Sequence, residues 1–326
     1  MNALQVFRSI LRRNRQGEHG GQSSVCSAHP TVIRAACRQA KRDGSVALIE
    51  STSNQVDQFG GYTGMVPVEF AQFVHDTAGE VGLHPEQVLL GGDHLGPNRW
   101  QDLPGDEALQ HAEVLVRDYV EAGFQKIHLD ASMPLADDDC GIALDDEVVS
   151  SRAARLCRVA ETAAKGRARD ELPLYIIGTE VPIPGGAQEE EDQSGPVPTT
   201  PERANQTISA AKQAFLSVGL EDAWSRVCAV VVQPGVEFGD EQVFDYRPNR
   251  AHGLCEEILR HDQLVYEAHS TDYQTQPALS EMVRDHFCIL KVGPWLTYAY
   301  REALFALSLM EEELVDRADQ RSFFLD

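Results

Sequence analysis

Short apolar runs punctuate the chain, and seven of them close on a polar residue able to do chemistry. VALIE ends at Glu50, VLLGGDH at Asp93 and His94, and KIHLD carries His128 and Asp130. LYIIGTE ends at Glu180, CAVVVQ at Gln233, QLVYEAH at His269 just after Glu267, and FCILK at Lys291. Runs of this length predict buried strands. Between them the apolar period lengthens to that of helices, over 31–42, 67–81, 106–122, 146–165, 201–219, 250–260, 277–286 and 298–314. Pro201 and Glu202 open one such stretch, and Gly123 and Gly219 close others.

Taking SSVCSA at 23–28 as a first strand gives eight βα units. That count predicts an α/β fold, a closed (β/α)8 TIM barrel. No G-x-G-x-x-G follows an early strand, as an open dinucleotide-binding sheet would require. The expected boundaries are an N-terminal amphipathic helix or arm over 1–22, the barrel over 23–315 and a tail over 316–326. The segment 185–200, acidic and rich in Gly, Pro and Ser, is expected to be a flexible loop of the barrel.

Parallel strands separated by helices bring their carboxyl ends to one face, so the polar residues closing the runs should meet in a single cup. Side chains two apart on a strand share a face, which pairs His128 with Asp130 and Glu267 with His269.

Composition narrows the partners. With 51 acids against 28 bases the net charge is −23, so no positive field exists to collect nucleic acid or an anionic membrane. No run approaches the ~18 apolar residues of a spanning helix. Arginines interrupt the apolar residues of the N-terminus, which therefore lacks the features of a signal peptide. Seven scattered cysteines without a C-x-x-C fit reduced thiols, and a soluble, cytoplasmic protein is expected.

GGDHLGPNRW is the most specific local string. Its glycines permit close approach to the backbone where the strand ends, an imidazole suits a divalent metal, and the adjacent carboxylate can carry a proton. YEAHSTDYQT adds His269 and Glu267, followed by the hydroxyls of Ser270 and Thr271, which suit a phosphate. Glu180 and Gln233 close apolar runs, where a buried carboxylate must be paired, protonated or metal-bound. Glu180 reads as a ligand or as the partner of an arginine. His94, Glu180, Gln233 and His269 together form an N/O donor set compatible with Zn, Mn, Co or Ni. Lys291 ends a strand in a chain with five lysines, and reads as a contact to substrate phosphate or as an ion pair across the barrel mouth.

IESTSNQVDQFGGYTGM, GGDHLGPNRW, KIHLDAS, GTEVPIPGG, VVQPGVEF, YEAHSTDYQT and KVGPWLT together resemble the GatZ/KbaZ family over residues 23–310. The resemblance implies a class II aldolase-like barrel acting in tagatose, galactitol and N-acetylgalactosamine catabolism. It implies either metal-dependent chemistry on a ketohexose phosphate, or a subunit that supports a separate class II aldolase catalytic chain. Homo-oligomerisation is also expected. Under this reading Asp93 and His94 match the strand-end acid and metal ligand of class II aldolases, and His269 matches a second histidine ligand. Gln233 stands where a third histidine belongs. Asp93 and Glu267 would exchange protons with substrate, Asp130 would support them, and Glu50, Ser51, Asn54, Ser270, Thr271, Lys291 and Gly293 would bind substrate and phosphate.

Overall fold

The structure, a computed structural model, describes residues 1–139, 144–178 and 195–322. The expected acidic loop therefore lies outside the described residues up to 194, as does Glu180.

The chain begins with α1 (Ala3–Arg15), then β1 (Gln22–Cys26), α2 (Pro30–Asp43), β2 (Ala47–Thr52), α3 (Pro67–Glu80) and β3 (Val88–Leu95). It continues through α4 (Gly105–Glu121), β4 (Lys126–Leu129), α5 (Asp146–Ala163), β5 (Leu174–Gly178), α6 (Pro201–Ser217), α7 (Glu221–Trp224) and β6 (Val227–Val231). A small antiparallel hairpin, β7 (Glu237–Phe238) with β8 (Val243–Phe244), precedes α8 (Pro248–Ile258). The last elements are β9 (Val265–Ala268), α9 (Gln276–Arg284), β10 (Phe287–Val292) and α10 (Pro294–Leu314).

Eight strands close a barrel in the order β1-β10-β9-β6-β5-β4-β3-β2, every neighbouring pair parallel. The TIM barrel expected from the pattern is the fold observed. Helix ends follow their local chemistry. In α2, Pro30 opens the helix, His29 Nδ1 accepts from the Thr31 amide at 3.2 Å, and Gly44 ends it in the left-handed region at φ 61°. The final helix starts four residues before the expected Tyr298, because buried Asp272 accepts from the amides of Gly293 (3.0 Å) and Trp295 (2.8 Å) and Pro294 fixes the first turn.

Strand alternation produces two apolar layers. Outward-facing residues such as Ile49, Leu90, Ile127 and Tyr266 pack against the surrounding helices. Inward-facing Leu48, Leu89, Ile176, Val231, Val265 and Ile289 fill the lower barrel. That interior is closed from below by α1, whose Ala3, Leu4, Phe7 and Leu11 belong to the same cluster. Asn2 and Gln5 cap this helix reciprocally, at 2.9 and 3.3 Å. Each large side chain buried in this plug contributes about 1.5–3 kcal/mol of transfer free energy.

At the other extreme α10 has no buried residue, and Leu309, Met310 and Leu314 are exposed. Among the described residues no helix is long and apolar enough to cross a membrane. Six described cysteines are free thiols.

Candidate functional site

Above the apolar layer the barrel interior becomes ionic. Glu50 on β2 projects inward from a fully buried position, and the room it needs comes from Gly91 on the neighbouring strand: a Cβ there would lie 2.6 Å from the Glu50 side chain. Lys126 opens β4 at the same level and is fully buried. Its ammonium lies 2.7 Å from Glu50 Oε1 and 2.7 Å from Glu267 Oε2. Lys291 on β10 pairs with the second Glu50 oxygen and, at 2.7 Å, with Asp93 Oδ2. Two lysines and three carboxylates thus form one buried chain of ion pairs across the barrel.

The imidazoles sit above this layer. His94, His128 and His269 gather with ring centroids 5.1, 5.2 and 5.5 Å apart. His94 takes the left-handed region at φ 49°, a conformation costly for a residue with a side chain and concentrated at functional sites. Its Nδ1 lies 2.8 Å from Asp130 Oδ2, while Asp130 also receives the Ser132 hydroxyl at 2.6 Å and the Asn98 amide at 3.3 Å. A Cβ on Gly96 would fall 1.5 Å from the Asp130 carbonyl oxygen, so only glycine lets the β3 loop pass that close. His269 Nε2 lies 3.0 Å from Glu267 Oε1.

The carboxylates are held ionised against their burial. Burial alone raises the Asp93 pKa, but His94, Lys291 and His128 outweigh it and hold the group well below the ordinary range. The same contest lowers Glu267, chiefly through Lys126 and His269, and Asp130, chiefly through His94. Burial depresses Lys291, yet Asp93 and Glu50 raise it well above the ordinary lysine value. Burial, helped by Asp93 and Glu50 and opposed by Lys291 and Lys126, pushes Cys26, near this layer, up to about 12. It is no thiolate nucleophile at neutral pH.

Asp93, His128, Glu267 and His269 offer ligand atoms all within 4.8 Å of one another, and such a cluster can hold a metal ion. The tautomer of His128 sets what its ring nitrogens offer the cluster. Its Nε2 lies 3.3 Å from the Gly178 carbonyl, and its Nδ1 lies 3.0 Å from Asp93 Oδ1. A ring protonated on Nε2 accepts from the His94 amide at Nδ1 (3.3 Å), whereas a ring protonated on Nδ1 donates to Asp93 and helps to hold that carboxylate ionised.

The expected site residues fall into groups. Glu50, Asp93, His94, Asp130, Glu267, His269 and Lys291 converge in the cup. His269 belongs to the four-residue cluster; His94 borders it, with Nε2 3.5 Å from Asp93 Oδ2. Gln233 Oε1 accepts from the amides of Gly235 (2.7 Å) and Val236 (3.1 Å), closing a turn. Ser51 faces the helices, its hydroxyl 3.0 Å from Tyr119. Thr271 donates to the Lys291 carbonyl, and the Gly293 amide is held by Asp272. Asn54 is exposed and Ser270 partly so, at the rim. Lys291 makes the ion pairs across the mouth that were one of its two sequence readings.

Lys126 was missed, because the pattern drew attention to residues that close strands and Lys126 opens one. Its signal was a lysine at the head of an apolar run in a chain with five lysines. Asp57 was also missed. It is buried in the β2 loop and binds the amides of Phe59 (2.7 Å) and Gly61 (2.9 Å) and Arg99 Nε (2.9 Å), tying two rim loops together.

The closed parallel barrel is an architecture shared with solved aldolases. Fructose-bisphosphate aldolase from Campylobacter jejuni superposes with a TM-score of 0.61 at 14% identity, covering 97% of this chain and 86% of the other. The YdjI aldolase from Escherichia coli K12 does so at 0.56 and 8% identity, over 97% and 87%. These likenesses concern the fold. A probable tagatose 6 phosphate kinase from Sinorhizobium meliloti 1021 is much nearer, at 47% identity and a TM-score of 0.82 over 92% of this chain and 72% of that one. The model of the D-tagatose-1,6-bisphosphate aldolase subunit GatZ/KbaZ-like family matches residues 7–325, and the chain belongs to that family.

Proposed function

We propose that the cup carries out metal-dependent chemistry on a ketohexose phosphate, either epimerisation at C4 or aldol cleavage of tagatose 1,6-bisphosphate. The observation that carries this reading is the buried group of Asp93, His128, Glu267 and His269, whose ligand atoms fit one small ion. A divalent ion bound there would supply Lewis-acid stabilisation of the oxyanion formed as a proton leaves or the C3–C4 bond opens.

The chain's own residues supply the rest. Asp93 and Glu267 are both kept ionised by cationic neighbours, so each is suited to hold the ion or to accept a proton from a substrate hydroxyl and hand that same proton back, and neither starts as a proton donor. Asp130 fixes the His94 ring through Nδ1 and leaves Nε2 directed elsewhere. Lys291 holds Glu50 and Asp93 in place. Phosphate recognition then falls to the rim, where Asn54 and Ser270 lie. No Gly-x-x-x-x-Gly-Lys loop occurs in the sequence, so phosphoryl transfer from a nucleotide is not adopted.

A second reading, a non-catalytic partner of a separate class II aldolase chain, is favoured by Lys126 and Lys291. Self-repulsion among carboxylates would argue for a resident metal, but these two buried cations already compensate Glu50, Asp93 and Glu267. The family description as an aldolase subunit and the exposed apolar residues of α10 support association with another chain, or with a second copy.

The deciding experiment incubates the purified protein alone with tagatose 6-phosphate or tagatose 1,6-bisphosphate, with Mn²⁺, Zn²⁺ or EDTA, and resolves fructose phosphates from triose phosphates. Metal-dependent fructose phosphate establishes the epimerase, and triose phosphates establish an aldolase. Absence of turnover under every condition rejects catalysis by this chain alone and leaves the partner-subunit reading.

A further inference from the structure

The closed end of the barrel carries a second concentration of charge, opposite in sign to the molecule. A cavity of about 500 Å³ opens there between the C-terminal half of α1, the lower ends of β5 and β6, and the turn before β9. Its floor is apolar, from Leu11, Leu174, Val227 and Cys228. Its walls hold Arg8, Arg12, Arg15, Arg169 and Arg226, against the single carboxylate of Asp262. In a chain with 51 acids and 28 bases, five arginines facing one acid run against composition.

Internal pairing accounts for only part of the group. Arg226 is bound to Glu161 and, at 3.2 Å, to Asp222, and Arg169 reaches Asp222 only at 3.8 Å. Arg8 donates to the Leu172 carbonyl at 3.1 Å, and Arg15 donates to the carbonyls of Ile258 and Leu264. Among the described residues none of Arg8, Arg12 and Arg15 forms an ion pair, and the Nε groups of Arg8 and Arg226 are buried without a hydrogen-bond partner. Burial is the largest influence lowering the guanidinium pKa of Arg8 and Arg15; repulsion from Arg226 and Arg169 adds to it at Arg8 against Cys228 and Asp170, and Asp262 opposes it at Arg15. A helix C-terminus tolerates cations, but a dipole does not explain arginines contributed by α1, the β5 approach and the α7–β6 turn together.

We propose that this cavity binds a small organic phosphate, its phosphoryl oxygens held by Arg8, Arg12, Arg15 and Arg169 and its carbon body resting on the apolar floor. Guanidinium forks match phosphate oxygens in geometry and charge, and the cavity lies within the size range of small-molecule sites. The site is at the opposite end of the barrel from the cup and is independent of the function proposed for it. Because α1 forms both the cavity wall and the barrel plug, occupancy stabilises the folded chain.

Calorimetric titration with inorganic phosphate and with phenyl phosphate, at fixed ionic strength maintained with NaCl, tests the assignment. Wild type should bind phenyl phosphate at least about tenfold more tightly than inorganic phosphate, because only the former covers the floor. The double variant Arg12→Gln/Arg169→Gln should lose at least about tenfold for both ligands, since both side chains are exposed and neither supports the fold. His94→Ala, altered in the cup, should bind unchanged. Binding abolished by His94→Ala but retained in the arginine variant would place the phosphate in the cup and overturn the proposal, as would absence of binding to wild type.

Discussion

The two ends of this barrel both contain charge, and they handle it in opposite ways. At the carboxyl end Glu50, Asp93, Lys126, Glu267 and Lys291 are buried, each set by a strand and each within 2.7 Å of an opposite charge. At the amino end arginines from a helix and two turns stand around a cavity, and three of them have no carboxylate partner among the described residues. Buried charges must be compensated within the fold, because removing them from water costs several kcal/mol per ion. Charges at the edge of a cavity can wait for a ligand. The mouth is therefore where substitution should damage folding, and the base is where it should damage binding.

The largest expected effect is that of Lys126→Met. It strips the shared cation from Glu50 and Glu267, leaving the latter with His269 alone, and should cost about 3–5 kcal/mol in denaturant unfolding. Lys126→Met/Glu267→Gln should recover much of that loss, since the uncompensated charge is then gone. A single variant as stable as wild type would mean the ion chain is not what holds the mouth together.

Phe7→Ala comes next, at about 3 kcal/mol, the low end of the cost of truncating a fully buried phenylalanine. It tests whether the base is sealed by apolar packing while the mouth is sealed by charge. Its loss should be insensitive to pH between 5 and 8, which urea titrations at several pH values would reveal.

The pH dependence of the mouth follows from the direction of its shifts. Asp93, Asp130 and Glu267 have folded pKa values below their unfolded ones, so their contribution is fully present above about pH 4–5 and declines as pH falls further. Lys126 and Lys291 are raised, so theirs is fully present below about pH 10 and fades only above it. Thermal melts should show a plateau between these limits. Lys126→Met should blunt the acid limb, because Lys126 is the strongest neighbour depressing Glu267.

This contrast also explains what the sequence revealed. The mouth was legible because strands have period two: any polar residue closing a buried run must face either the cup or the helices, and Glu50, Asp93, His128, Glu267, His269 and Lys291 all chose the cup. The same rule, applied to Ser51, turns it away from its neighbour Glu50, and the hydroxyl is indeed found on Tyr119. Gln233 was less legible because an amide can satisfy its own loop, as this one does with Gly235 and Val236. At the base, α1 was readable as amphipathic, but nothing in its own sequence says that its apolar face closes a barrel. Its arginines meet Arg169 and Arg226 only through tertiary structure, across more than 150 residues of chain.

The smallest expected effect is the most discriminating. Arg12 is exposed, and among the described residues its side chain makes no hydrogen bond or ion pair. Two opposing influences act on it: the C-terminal dipole of α1 favours a cation by a few tenths of a kcal/mol, and neighbouring arginines disfavour it by a similar amount. Arg12→Gln should therefore change stability by no more than about 0.5 kcal/mol in chloride. In phosphate the wild type should gain thermal stability relative to chloride of equal ionic strength, and the variant should gain less. If Arg12→Gln instead destabilised the protein in chloride as a mouth substitution does, the base charges would be part of the folding scaffold and the two ends would differ in sign but not in role.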